Sequence, residues 1–200
     1  MGTKEYDKLR HKLEHHGHKI SEPLWDEVLK NTKLVSIKKN GVLADYGSRI
    51  QSSHFIVSGS FVKSIITLEG EKKAFWFHLD DVFSMATCGD SYFLNETTKY
   101  EIKALEDSTV ISIKKSDMDK WVLKYPTFNQ FYITDLVKDF MAINELRAFA
   151  LVHSPEQIFY YIAEKYPSIP VRVSSKNMAH FLGVSPEWYS KLKKRMGGLN

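Results

Sequence analysis

Residues 174–196, SSKNMAHFLGVSPEWYSKLKKRM, decide the fold assignment of this chain. Ser174, or the serine after it, can cap a short helix, and Gly183 supplies the backbone freedom that a tight turn needs. Ser185 and Pro186 then form the start of a second helix, because serine is a good N-cap and proline fits the first helical turn. Two short helices joined by a glycine turn are typical of a helix–turn–helix.

The second of these helices has a packing side and an exposed side. Trp188, Tyr189 and Leu192 supply the apolar side, whereas polar and basic residues occupy the other. Such a helix fits the major groove of DNA, where its first turns meet base edges and its basic later turns meet phosphates. The predicted DNA-binding residues are Ser174, Lys176, Ser185, Glu187, Ser190, Lys191, Lys194 and Arg195. The alternative is an ordinary helical hairpin with a glycine turn.

The distribution of charge favours the DNA interpretation. The 200 residues carry a net charge of +4, but residues 172–195 alone hold six basic residues against one acidic residue. The rest of the chain has a net charge of −1. A positive end is the asymmetry expected of a chain that meets a polyanion. A solvated helix face with several lysines is the alternative, and the order of caps and glycine argues against it.

Composition excludes several classes of protein. With 43% hydrophobic and 26% charged residues the chain is expected to fold, and no apolar run approaches the roughly 18 residues of a membrane span. The N-terminus is charged from the fourth residue, unlike a secretory signal. The single cysteine, Cys88, excludes an intrachain disulfide framework, cysteine-ligated zinc and an iron–sulfur cluster. We therefore expect a protein of the reducing cytoplasm.

A strand pattern runs from Leu34 to Lys114. Short segments rich in β-branched and aromatic residues alternate with turn signals such as Asn40-Gly41 and Ser58-Gly59. The segments are LVSIK, VLADY, HFIVS, FVKSIITL, KAFWFHL, YEIKA and STVISIK. Strands at this regular spacing predict a sandwich or a jelly roll.

A long helix is predicted from Phe128 to about Leu151, because this segment contains neither glycine nor proline. Apolar residues recur in it at steps of three and four, as in a coiled-coil seam. The predicted dimerisation residues are Tyr132, Leu136, Phe140, Ile143, Leu146 and Ala150. At ~1.5 Å per residue the helix is about 35 Å long, more than one small β domain can cover. A two-fold partner is the simplest cover for it, and packing along its own β domain is the alternative.

Shorter helices are predicted on both sides of these regions. Residues 4–30 predict two helical pieces, and Ser116 is expected to cap a short helix before the long one. Ser154 and Gln157 have the spacing of a capping box that begins another helix after the long one. The VRVSS stretch, residues 171–175, is expected to be extended and is the candidate for a β-wing.

Along the chain, the strand region comes first, the long helix follows, and the helix–turn–helix is last. In this order the segments resemble the CRP/FNR superfamily of bacterial transcription regulators, particularly a divergent branch common in Bacteroidetes. The resemblance begins near Ser21 and is carried by NGVLADYGSRIQSSHFIVSGSFVKS, EGEKKAFWFHLDDVF, IKALEDSTVISI and MAHFLGVSPEWYSKLKK. It implies an α+β chain in three parts. These are an N-terminal double-stranded β-helix (jelly-roll) sensor domain of the cyclic-nucleotide-binding type at residues 1–126, a long dimerisation helix at 127–152, and a winged-helix-like helix–turn–helix domain at 153–200.

The resemblance also implies a function. Such a protein is a homodimer that binds a palindromic operator in double-stranded DNA, and it is a regulator rather than an enzyme. An effector sensed in the β-roll acts on the DNA-binding helices through the long helix. RNA polymerase is a further candidate partner, and no membrane is involved.

The effector is expected to differ from cyclic AMP. Relatives that bind cyclic AMP carry a Gly-Glu pair and an Arg-Ser or Arg-Thr pair, and the arginine pairs with the cyclic phosphate. The candidate effector-binding residues at the corresponding places are Ser84, Met85, Thr98, Lys99 and Tyr100. Lys99 supplies a point charge without the bidentate fork of arginine, and Gly89-Asp90 is either a shifted remnant of the acidic pair or a turn. The effector is left open as an unidentified small molecule.

Other classes of function leave weaker signals. A cupin-like metalloenzyme needs two or three converging histidines and a carboxylate, but His54 and His78 are isolated in the sequence and no metal site is predicted. In a haem sensor, His78 and Cys88 would be the candidate axial ligands. Cys88 could also be a redox switch, but no residue near it in the sequence clearly lowers the pKa of its thiol. The histidines at positions 11, 15, 16 and 18 are more simply a solvated helix end than a metal site. An interaction module that binds no DNA is the remaining alternative.

Overall fold

Strands occupy the region that the alternating sequence pattern predicts. The computed structural model of the protein describes residues 4–14 and 19–195, so His15, His16, His18 and the chain end from Met196 lie outside the described residues. Each of the seven predicted segments contains a strand, and one further strand of two residues joins them. The strands are β1 (Lys33–Ile37), β2 (Val42–Ala44), β3 (Ser52–Ser58), β4 (Ser60–Ile66), β5 (Lys72–Leu79), β6 (Met85–Ala86), β7 (Tyr100–Ala104) and β8 (Ser108–Lys114).

These strands form two antiparallel four-stranded sheets, which confirms the predicted jelly roll. The first sheet has the order β1-β8-β3-β6, and the second has the order β2-β7-β4-β5. Ile56, Phe61 and Val110 are fully buried in the core cluster of the roll. Gly59 joins β3 to β4 with φ of +110°, and a Cβ there would lie 2.0 Å from Oγ of Ser108. This corner of the roll therefore requires glycine.

The described residues also form nine helices. They are α1 (Lys4–Glu14), α2 (Glu22–Asn31), α3 (Gly89–Leu94), α4 (Lys115–Lys124), α5 (Pro126–Val152), α6 (Pro155–Lys165), α7 (Ser168–Arg172), α8 (Ser175–Leu182) and α9 (Pro186–Arg195). The α5 helix is the long helix that the sequence predicts. None of the helices described is long and apolar enough to cross a membrane.

The predicted caps are confirmed at α6 but not at α4. Ser154 and Gln157 form the complete capping box at the start of α6. The prediction that Ser116 caps α4 is wrong, because the helix begins one residue earlier and has no side-chain cap. Strand β8 leads directly into this helix, and the Lys115 amide donates to the carbonyl of Gln51 at 2.9 Å. A backbone acceptor thus replaces the expected side-chain cap.

The prediction that residues 171–175 are extended is also wrong for its first part. Arg172 ends α7, and the amide of Val173 donates to the carbonyl of Ile169 at 2.9 Å. Ile169 and Val173 are both buried, so one helical turn places two apolar side chains on the same face. The part of the chain described beyond Lys114 contains no strand, so the candidate β-wing is not found there.

Helices cover the roll on two sides. Side chains of α1, α2, α4 and α5 pack with the outer face of the first sheet. On the other side α8 packs on β5, where the ring of Phe181 lies 5.3 Å from that of Phe77. Arg172 strengthens this second contact, because its guanidinium pairs with Asp80 and, at 2.6 Å, with Glu106. The C-terminal helices therefore rest on the β-roll of their own chain.

Candidate nucleic-acid interface and sensor cavity

The predicted turn between the last two helices is present in detail. Asn177 donates its amide to the Ser174 hydroxyl at 3.3 Å, which caps α8. Gly183 ends that helix with φ of +69° and ψ of 28°, a left-handed conformation that favours glycine. The amide of Trp188 donates to the Ser185 hydroxyl at 3.1 Å, which caps α9. The two helices are thus fixed by local bonds that the sequence specifies.

The second helix of the pair, α9, has its apolar side in the protein and its polar side in solvent. Tyr189 and Leu192 are 1% and 0% exposed, and Trp188 packs beside them. All eight predicted DNA-binding residues are exposed; they are Ser174, Lys176, Ser185, Glu187, Ser190, Lys191, Lys194 and Arg195. The arrangement leaves a polar and basic surface free to meet another molecule.

Charges on this surface are largely uncompensated. Among the residues described, no carboxylate forms an ion pair with Lys191 or Lys194, although Glu187 is close enough to interact with Lys191. Arg195 lies 3.7 Å from a carboxylate oxygen of Glu156 and stays mostly exposed. The backbone amide of Glu187 and the Ser185 hydroxyl lower the pKa of the Glu187 carboxyl, so it is ionised at neutral pH. The surface therefore presents one anionic acceptor at the start of α9 and exposed cations at its end, of which Lys194 forms no ion pair with a described residue.

The long helix exposes an apolar strip. Its large apolar side chains that are at least 37% exposed are Ile133, Leu136, Val137, Phe140, Met141, Ile143, Leu151 and Val152. Four of the six predicted dimerisation residues lie on exposed positions, namely Leu136, Phe140, Ile143 and Ala150. Tyr132 instead packs against the core cluster between the first sheet and helices α1, α2 and α4, and Leu146 is buried in another core cluster of its own chain. Ile133, Val137 and Met141 were not predicted. They form a second row with the same four-residue spacing, and each follows a predicted residue by one position.

The predicted effector-binding residues do not form one group. Thr98 and Lys99 surround the carboxylate of Asp90, which accepts the Lys99 amide at 2.8 Å and the Thr98 hydroxyl at 3.3 Å. Tyr100 follows, with its ring centroid 4.6 Å from the ammonium of Lys63. Asp90 thus occupies donors that a phosphate would need, and its charge repels an anionic ligand.

Ser84 and Met85 lie apart from that group. Ser84 is buried, and its carbonyl accepts the amide of Ile56 at 2.8 Å. Met85 lines a cavity of about 140 Å³ between the first sheet and helices α1, α4 and α5. The cavity wall is mostly apolar and includes Leu13, Trp121 and Phe131. No sequence signal predicts this cavity, because its wall comes from segments far apart in the chain.

Three polar atoms in the cavity wall have no hydrogen-bond partner. They are Oγ of Ser53, Nε2 of His78 and the hydroxyl of Tyr92, and all are buried. The Tyr92 hydroxyl has the Ser53 and Tyr132 hydroxyls as neighbours, but the hydroxyls of Ser53 and Tyr92 make no hydrogen bond of normal geometry. His78 donates Nδ1–H to the carbonyl of Phe83 at 2.9 Å. Burial lowers the pKa of His78 to about 4, so the imidazole is neutral and Nε2 is a free acceptor.

The charged side chains that line the cavity are Lys12, Asp135 and Asp139. Lys12 forms an ion pair with Asp135 at 2.7 Å. Burial, and then repulsion by Asp135, raise the pKa of Asp139 to about 6. These three residues also line a wider cleft that extends to Tyr166 in the C-terminal part of the chain. The cavity therefore adjoins a passage to solvent with both signs of charge.

Residues considered for metal or redox chemistry are buried separately. Burial lowers the pKa of His54 to about 4 and raises the pKa of the Cys88 thiol. Within residues 4–14 and 19–195, no three histidine, cysteine or carboxylate side chains are grouped as metal ligands. Cys88 is fully buried as a free thiol.

Comparison with known proteins identifies the fold. No protein-family model and no curated protein matches the chain. Among solved structures, FixK2 from Bradyrhizobium japonicum is 12% identical with a TM-score of 0.67, over 83% of this chain and 84% of that chain. The global regulator CLP from Xanthomonas campestris is 12% identical with a TM-score of 0.66, over 88% of this chain and 92% of that chain. A protein assigned to the crp/fnr family of transcriptional regulators from Eubacterium rectale is 12% identical with a TM-score of 0.66, over 89% and 84%.

The β-roll, the long helix and the terminal helix–turn–helix together define the fold of the CRP/FNR transcription regulators. The resemblance that the sequence indicates is therefore confirmed at the level of architecture.

Proposed function

We propose that the protein is a homodimeric, sequence-specific DNA-binding transcription regulator whose β-roll senses a small molecule. The observation that carries this proposal is the helix–turn–helix. Tyr189 and Leu192 anchor α9 by its apolar side, while every predicted DNA-binding residue is exposed. A capped, basic and solvent-facing helix of this kind suits insertion into the major groove.

Each end of α9 has its own role in this arrangement. Glu187, near the N-terminus, is the acceptor that would take a hydrogen bond from the exocyclic amine of cytosine. Lys191 would donate to guanine or phosphate, and Lys194 and Arg195 would contact phosphates. The remaining residues, Ser174, Lys176, Ser185 and Ser190, would contact the DNA backbone and fix the register of the helix.

The exposed strip on α5 supplies the dimer contact. Phe140 is 64% exposed and Met141 is 61% exposed, which is unusual for large apolar side chains on a helix that is otherwise packed. A second copy, related by a two-fold axis, covers such a strip with the same strip of its own. The two recognition helices would then face adjoining grooves of one duplex, and the operator would be palindromic.

Helix α5 would also carry the signal. Phe131 and Tyr132 on this helix border the sensor cavity, while Phe140, two turns further along, lies on the dimer strip. A ligand that moves one side of the helix changes the contact on the other side. CLP is described as responsive to c-di-GMP, but in this chain the carboxylate of Asp90 argues against a phosphate-bearing ligand beside Thr98 and Lys99. The protein would act in the cytoplasm, with RNA polymerase as a further candidate partner.

Selection of bound duplexes from a pool of random DNA tests the proposal. We expect enrichment of one palindromic motif, with half-site centres one helical turn, about 10 base pairs, apart. An unenriched pool would contradict a sequence-specific regulator. Such a result would favour the interaction module, in which the basic surface is incidental.

A further inference from the structure

We propose that the cavity between the first sheet and helices α1, α4 and α5 binds a small neutral ring compound with one hydroxyl group, of the phenol type. The proposal deepens the proposed function by naming the class of effector. It rests on the proposed function in one respect only, which is that this compound would be the effector of the regulator. Binding itself depends on the cavity and not on DNA.

The size of the cavity sets the first limit on its ligand. Its volume is about 140 Å³. An apolar protein cavity of roughly 150 Å³ accepts benzene. A ring of six carbon atoms with one small substituent therefore fills the space, whereas a nucleotide is far too large.

The cavity wall sets the second limit, which is neutrality. Leu13, Trp121 and Phe131 give the wall its apolar character, so a charged ligand would lose its hydration without compensation. The ammonium of Lys12 at the opening is already paired with Asp135. No cation other than Lys12 is among the described residues that line the cavity, so the wall itself offers an anion such as a carboxylate no free counter-charge.

Three unpartnered atoms set the third limit. Nε2 of His78 can only accept a hydrogen bond, because the Nδ1 proton is donated to Phe83. The hydroxyls of Ser53 and Tyr92 can each donate or accept. Buried polar atoms without partners are rare, since each costs free energy. One ligand hydroxyl would donate to His78 and accept from a wall hydroxyl, and a bound water is the alternative occupant.

Titration of the full-length protein with three probes distinguishes these occupants. Isothermal titration calorimetry with phenol should show saturable binding, benzene should bind more weakly, and benzoate should not bind. Absence of phenol binding would overturn the proposal in favour of a cavity that holds water. Equal affinities for phenol and benzene would overturn it as well, because the polar atoms would then have no role in recognition.

A pair of matched variants tests the polar contact. Tyr92→Phe removes one unpartnered hydroxyl from the cavity, and phenol should bind about 3- to 10-fold more weakly while benzene is unaffected. Tyr189→Phe removes another buried hydroxyl without a partner, but in α9 and away from the cavity, so phenol affinity should not change. Unchanged phenol binding in Tyr92→Phe would refute the contact. Ser53→Ala provides the same test should Tyr92→Phe not fold.

The proposal and the proposed function fail in different ways. Phenol binding without any DNA binding would leave the cavity assignment intact and contradict the regulator. DNA binding without phenol binding would leave the regulator intact and overturn the cavity assignment. If both occur, phenol should change the affinity for DNA, and benzoate should not.

Discussion

Replacing Lys191 and Lys194 on α9 together by glutamine should weaken DNA binding and reduce its dependence on salt. Both side chains are exposed and form no ion pair with a described residue, so we expect a change in unfolding free energy within about 0.5 kcal/mol. Each phosphate contact of a cation contributes about 0.9 to the slope of log K against log salt concentration. Two lysines in each of two subunits make four contacts, so the slope should fall in magnitude by about 3.6.

Fluorescence anisotropy with a random-sequence duplex, repeated over a series of salt concentrations, measures this slope. The matched control replaces Lys33 and Lys39, two exposed lysines on and after β1, by glutamine. Both double variants lose the same net charge, so a difference between them reports position and not total charge. Equal slopes for the two variants would refute the placement of DNA on α9.

Three further substitutions test other parts of the account. Phe140→Glu should convert the dimer to a monomer in analytical ultracentrifugation. The control Leu123→Glu, which alters an exposed apolar residue on α4, should leave the dimer intact. A dimeric Phe140→Glu protein would contradict the α5 contact. Gly183→Ala should lower the free energy of unfolding in urea by about 1–2 kcal/mol, because φ at this position is +69°. Gly89→Ala, at an ordinary φ, should lower it by less, and equal losses in the two variants would argue against backbone strain. Asp139→Asn should raise the unfolding free energy at pH 7 by up to about 3 kcal/mol, because the folded carboxyl has a pKa of about 6, about two units above its unfolded value, and each unit corresponds to about 1.4 kcal/mol. That gain should decrease as the pH falls below 6 and disappear by about pH 3, where the carboxyl is protonated in both states, and a constant gain would contradict the pKa assignment.

Much of the fold could be predicted because its signals are local. The alternating residues of β3 and β8, and the serine caps at Ser174 and Ser185, act within a few residues of their own position. Strand β6 was not predicted because a strand of two residues is too short to show an alternating pattern. The turn before Val173 was predicted as extended from its β-branched residues, but burial of Ile169 and Val173 on one face outweighs that preference.

The candidate site was predictable only in part, for the same reason. The exposed side of α9 follows from the spacing of Tyr189 and Leu192 within one helix. The contact of Phe181 with Phe77 joins residues about a hundred positions apart, and the sequence contains no signal of it. The cavity likewise depends on how separate helices close over a sheet, so the free Nε2 of His78 in its wall becomes visible only in the structure.

A distance between the two recognition helices tests the central claim most directly. Lys193→Cys places one partly exposed attachment site for a spin label on α9, outside the predicted DNA contacts, and the native Cys88 is fully buried and should not react. Pulsed electron paramagnetic resonance on the labelled protein, bound to a selected duplex, should give one intermolecular distance of about 34 Å, the length of one turn of DNA. Absence of a dipolar signal, or a distance that places the helices on unrelated faces, would contradict a two-fold dimer that reads adjoining grooves.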